Sequence, residues 1–168
     1  MPIIKQTIIL LFLAISLTPL NAQEIKKIGK FKDWETIVVT SETAKLCFAQ
    51  SKPVLQSPKN NAREARLFIS FRPNEKITDE VSITSGYEYN VQNTILAKSG
   101  KNKIKFDISK DSFAWITNNK IEKKMIGVMK KGSRIMITGY NESGSQTIDH
   151  YSLMGFTKAY NSAKKNCS

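Results

Sequence analysis

Alternation with a period of two constrains this chain more than any other feature. From Arg66 to Arg72, residues Leu67, Ile69 and Phe71 fall on one face, while Arg66, Ser70 and Arg72, joined by Phe68, fall on the other. Successive strand residues point to opposite sides, so such a segment is a strand with one buried face, and Pro73-Asn74 stops it. The same reasoning predicts strands over residues 31–40, 45–50 and 80–84, the last with Val81 and Ile83 inward. Residues 103–108 read as another, with Ile104, Phe106 and Ile108 alternating against Lys103, Lys105 and Asp107. A strand is expected over 113–117 and one or two irregular strands over 86–97. Residues 23–30 read as a polar lead-in and 53–61 as a loop bracketed by Pro53 and Pro58. Residues 134–140 and 146–153 form a hairpin across Asn141-Glu142-Ser143-Gly144, ordinary chemistry for a four-residue turn.

The period changes twice. Ile121, Met125, Val128 and Met129 recur at helical spacing, predicting a short helix near 120–131. Asn119 with Glu122 resembles a capping box there and Gly132 a C-terminal cap. Gly127 inside it costs about 1 kcal/mol. Phe156, Ala159, Tyr160, Ala163 and Cys167 define a second helix, near 156–166, whose outer side carries Lys158, Asn161, Lys164 and Lys165. Many short strands with two short helices predict an all-β fold, an immunoglobulin-like β-sandwich. One domain over residues 23–168 accommodates it.

Residues 1–22 read as a secretory signal peptide. Lys5 precedes an apolar run, Pro19 breaks it, and Ala22 supplies the small residue for cleavage. The run is shorter than the roughly 20 residues a membrane span needs, so no transmembrane anchor is expected after cleavage. The expected location is therefore periplasmic or secreted. In an oxidising compartment, Cys47 and Cys167 most simply form one disulfide, with two free thiols as the alternative. The helical spacing supports the bond, because it puts Cys167 on the face turned toward the body of the domain.

The formal charge of +12 falls by one with the leader, since Lys5 leaves and no acid does. A chain this basic suggests anionic partners, although a lysine-rich solvated surface accounts for the same composition. Arginine occurs only at 63, 66, 72 and 134, and its scarcity argues against a nucleic-acid site. Lys26, Lys27, Lys30 and Lys32 on the first strand, and Lys120, Lys123, Lys124, Lys130 and Lys131 on the first helix, would form one basic surface if the two elements were neighbours. Within it, Lys123, Lys124, Lys130 and Lys131 are the candidate residues for binding an anionic surface.

Several landmarks together resemble the invasion-associated locus B family of bacterial envelope proteins. They are Gly29-Lys30-Phe31-Lys32-Asp33-Trp34, the following cysteine strand with Cys47, Arg72-Pro73, the segment from Gly139 to Phe156 with Asp149-His150-Tyr151-Ser152-Leu153-Met154-Gly155-Phe156, and the late Cys167. The resemblance spans residues 29–167. The chain departs from the family pattern in carrying fewer cysteines. The resemblance implies a periplasmic or surface-associated β-sandwich and transfers no catalytic residue.

The residues offer little chemistry of their own. Asp149, His150 and Ser152 suggest a triad, but neighbouring strand residues point to opposite faces, so Asp149 cannot orient His150. Trp34 and Trp115 could form a carbohydrate platform, against the more ordinary reading as core residues. Tyr87 and Tyr89 share a face and are equally explained by packing. Two cysteines and one histidine lack metal-ligand spacing, and there is no phosphate-cradling glycine loop, so no cofactor or metal is expected. The expected function is an exported, non-catalytic envelope protein that binds another protein or a surface component. The alternatives are a host-contact or adhesion factor and, from a different class, a small periplasmic hydrolase or folding factor.

Overall fold

The computed structural model describes residues 23–168; the leader read over 1–22 lies outside the described residues. Twelve strands form two antiparallel sheets. The larger contains β1 (Glu24–Phe31), β2 (Trp34–Thr40), β3 (Lys45–Ser51), β5 (Arg66–Arg72), β6 (Ile77–Thr84), β10 (Phe113–Trp115) and β9 (Ile108–Lys110), in that spatial order. The smaller runs β4 (Leu55–Ser57), β12 (Gln146–Ser152), β11 (Arg134–Tyr140), β7 (Ile95–Ser99) and β8 (Asn102–Phe106). Helices α1 (Asn119–Lys131) and α2 (Phe156–Asn166) complete a sandwich-like all-β architecture. The inward faces of both sheets and one side of each helix share a single core. Among the described residues, no helix is long and apolar enough to cross a membrane.

The alternating segment Arg66–Arg72 is β5, with Leu67, Ile69 and Phe71 buried. Four local departures from the sequence reading have clear physical causes. Residues 23–30 are not a polar lead-in but most of β1, which pairs with β2 across a turn at Lys32-Asp33, Lys32 taking a positive φ. As an edge strand β1 is largely exposed on both faces, so it lacks the alternation that marks burial. Within the expected loop, β4 pairs with β12 and is only three residues long. The expected strand over 103–108 is cut at Asp107, whose carboxylate accepts from the Thr117 N–H at 3.0 Å. There the chain leaves the small sheet, and Ile108 begins β9 in the large one.

The fourth departure is in α1, where Asn118 rather than Asn119 is the cap; its side-chain oxygen accepts from the N–H groups of Lys120 and Ile121. Glu122 does not reach back to close a capping box. It turns inward with Met125, Ile126 and Met129, and accepts the Val81 N–H at 2.9 Å. Ile121, expected on the apolar side, is exposed.

At the start of α2, Gly155 has φ 91°, and its missing side chain leaves room for the Phe31 carbonyl; any Cβ would collide with that oxygen. This contact brings α2 across the inner face of the large sheet, where the Thr36 hydroxyl donates to the Ala159 carbonyl at 2.9 Å. The Cys47–Cys167 disulfide holds the end of the helix on β3.

Candidate functional site

The outward face of the large sheet carries the least expected chemistry. A solvated sheet face is normally polar, yet here four aromatic rings run in a chain across three strands. Phe48 on β3 meets Phe68 on β5 edge-on at 5.9 Å, Phe68 meets Phe113 on β10 at 6.0 Å, and Phe113 stacks on Trp115 at 5.8 Å. Strand β6 lies between β5 and β10 but contributes only the small residues Ser82 and Thr84 opposite Phe68, Trp115 and Phe113. The rings therefore touch over the top of it. Register extends the apolar face in both directions. Ile37 lies beside Phe48, Leu46 beside Val39, Val39 beside Ile25, and Ile108 beside Trp115. Ile25 and Ile108, at the two ends, are 69% and 54% exposed.

Most charges on this face are paired among themselves; among the described residues, the exposed Lys110, opposite Phe113, is not in an ion pair. Lys27 bonds Glu35, which also accepts from the Gln50 amide at 2.7 Å. The Lys27 bond is the largest influence holding the Glu35 carboxyl below its usual range, against the opposing effect of burial. Arg66 meets Glu64 at 3.0 Å. The two Arg72 terminal nitrogens clasp both oxygens of Glu80, at 3.0 and 2.6 Å, and its Nε meets Glu75. The Glu80 bond is the main reason the guanidinium is held even more firmly protonated than usual. An uncovered aromatic face rimmed by largely paired charge is the composition of a contact surface.

The model of the invasion associated locus B (IalB) family matches residues 34–164, from the first residue of β2 to the last turns of α2. The chain belongs to the invasion associated locus B family. No match is found among curated proteins, and none among solved structures. Membership of the IalB family makes this an envelope protein of that type. The matched region contains the whole aromatic chain, from Phe48 to Trp115.

The residues singled out from the sequence of this IalB protein are distributed as follows. Cys47 is buried and bonded to Cys167. Lys123, Lys124, Lys130 and Lys131 are exposed on α1, but they do not gather into one site. Lys130 lies over the Tyr160 ring at 3.9 Å, toward α2, whereas Lys124 and Lys131 line an open cleft on the other flank. The single surface imagined from β1 and α1 is not formed directly, because α2 packs against β1 and stands beside α1. Trp34 is a core residue whose indole N–H donates to the Ser152 carbonyl at 2.8 Å. Trp115 belongs instead to the outer aromatic face.

Asp149 and His150 do point apart. Asp149 is buried and grips Arg63 through two hydrogen bonds of 3.0 and 2.7 Å, while Gln56 donates a third at 3.1 Å. Arg63 also donates to the Ser85 carbonyl and lies 5.5 Å from the centre of the Tyr87 ring. Sequence reasoning missed this buried pair because its members are 86 residues apart. Tyr87 and Tyr89 meet edge-on beside it and hydrogen-bond Thr147 and Ser85; burial raises both phenols above their ordinary range. Among the described residues, no group of three His, Cys, Asp or Glu side chains could hold a metal ion.

Proposed function

We propose that this IalB-family protein is a non-catalytic binding module of the periplasm or cell surface, and that a partner protein docks on the aromatic outer face of its seven-stranded sheet. The observation that carries the reading is the ring chain Phe48–Phe68–Phe113–Trp115 lying uncovered among largely paired charges. Interface cores are enriched in aromatic residues and depleted of unpaired charge. The rim favours an apolar protein surface over a polyanion, because Lys27, Arg66 and Arg72 are already engaged by carboxylates, although Lys110 beside Phe113 lacks an ion pair among the described residues.

The test is site-specific photo-crosslinking from position 68 in oxidised protein within native envelopes, with the captured protein identified by mass spectrometry. One reproducible partner, retained at moderate salt and lost in the Phe48→Ser/Trp115→Ser variant, supports docking; salt resistance separates it from exposed-charge adhesion. Capture that survives this double substitution sinks the reading. A crosslink to a second copy, matched by a dimer in sedimentation velocity, reassigns the face to self-association and also overturns it.

A further inference from the structure

Helix α1 turns an almost wholly lysine face outward, and at its centre sits a glycine with no evident structural reason. Of the eight glycines, Gly127 alone has neither a positive φ nor a neighbour that a side chain would strike. A glycine at mid-helix weakens the helix, so nothing in the packing accounts for its presence. Its bare position opens onto the cleft between α1 and the β7–β8 turn. Lys124, three residues before it, and Lys131, four after it, lie on the same side of the helix. Arg134, at the start of β11, lines the same cleft with Asn102 and Ser99, and no carboxylate does so.

Three cations thus share one concavity. Among the described residues, the ion pairs engage Lys27, Lys52, Arg63, Arg66 and Arg72, and none of these three. Ser99 already donates its hydroxyl to the Arg134 carbonyl at 2.8 Å, which fixes that wall. The Asn102 amide spends one N–H on a long 3.4 Å bond to the Ser99 carbonyl and keeps the other available.

We propose that this cleft binds a phosphate-class oxyanion, with Gly127 leaving the floor open so that one anion reaches Lys124, Lys131 and Arg134 together. The guanidinium offers a planar fork and the two ammonium groups point charges, a set that suits a multiply bonded, multiply charged oxyanion better than a single carboxylate. The site is separate from the aromatic face, so either proposal can fail without the other.

Two probes distinguish where the phosphate comes from: inorganic phosphate, and phosphatidylcholine vesicles with and without phosphatidylglycerol. Three variants accompany the wild type. Gly127→Leu fills the floor while favouring the helix, so a loss of binding there is not a loss of folding. Lys124→Gln/Lys131→Gln removes two cations from the cleft, and Lys164→Gln/Lys165→Gln removes the same charge from α2.

Titration with inorganic phosphate, followed by amide NMR, is expected to give saturable shifts centred on Gly100, Gly127 and Gly132. Affinity should fall about tenfold or more in the two cleft variants, and much less in the α2 variant, if direct charge-assisted contacts are lost. Vesicle cosedimentation that requires phosphatidylglycerol and fails in the cleft variants assigns lipid-borne phosphate. Saturable phosphate binding without vesicle preference assigns a soluble ligand. Equal weakening by the α2 variant, wild-type binding by Gly127→Leu, or no saturable binding of either probe overturns the site.

Discussion

The two faces of the seven-stranded sheet are made by the same alternating strands, yet they solve opposite problems. The inner face presents several small residues, Thr36, Cys47 and Ala49, beside larger ones such as Ile69 and Phe71. Their modest size lets a helix lie close enough for Thr36 to bond the α2 backbone. The outer face presents Phe48, Phe68, Phe113 and Trp115 and receives no covering element among those described. The rings instead cover one another and the small residues of β6. Apolar content alone therefore does not distinguish core from contact surface; the decisive difference is whether a distant segment returns to close the face.

The largest expected effect comes from releasing the helix that closes the inner face. The Cys47→Ser/Cys167→Ser variant loses a link across 120 residues, and the chain-entropy model puts the loss at about 4–5 kcal/mol. Urea denaturation under oxidising conditions measures it. A loss below about 1 kcal/mol would mean that α2 stays seated without its covalent pin. Next comes a matched pair of truncations. Phe156→Ala removes a fully buried ring packed on Trp34 at 4.8 Å and should cost about 3–5 kcal/mol. Phe68→Ala on the outer face should cost only about 1 kcal/mol, the scale of its ring contacts. Equal costs would make the outer face a second core and erase the contrast between the faces.

Smaller effects sharpen the same comparison. Glu122 is buried at the flank of the inner face, and burial is the main cause raising its carboxyl above the ordinary value of 4.5, with Glu80 and Asp79 adding to it. A raised folded-state value means that the stabilising contribution is present below pH 4.5 and is lost as pH rises through the raised value. Glu122→Gln, which can still accept the Val81 N–H, should thus be more stable than wild type at neutral pH. That advantage should shrink as pH falls through the raised value toward 4.5 and be gone below it, and thermal melts across pH would show it. An advantage that persists at low pH would point to packing rather than charge. On the outer rim, Glu35→Gln should cost no more than about 0.5 kcal/mol, since it removes only a partly exposed pair.

Legibility followed the reach of each signal along the chain. The alternation of β5, the hairpin of β11 and β12 and the apolar side of α2 are local patterns, and each was readable from a few residues. The periodicity that turned Cys167 inward also anticipated its bond. Edge strand β1 was not readable because burial, the source of the pattern, does not reach it. Ile108 continued a perfect alternation across a sheet boundary, and only the Asp107–Thr117 bond reveals the break. Glu122 looked like a capping residue because the Val81 N–H that it serves instead lies 41 residues away. Phe68 stood out among Arg66, Ser70 and Arg72, but its contacts with Phe48 and Phe113 depend on the register of separate strands. The Arg63–Asp149 pair, with no local pattern at all, required the fold.

The bond between Cys47 and Cys167 also changes what a protease can accomplish. It makes a covalent ring of every described element from the middle of β3 to the end of α2, and among the described elements β1 and β2 lie outside it. A single cut in an exposed turn within that ring, such as Glu142–Ser145 between β11 and β12, severs the backbone but frees no fragment. The nicked molecule keeps its full mass until a reductant reaches the sulfurs. Damage to this protein would thus be invisible to size alone, and release of a fragment from the ring would take either a second cut or a change in redox conditions.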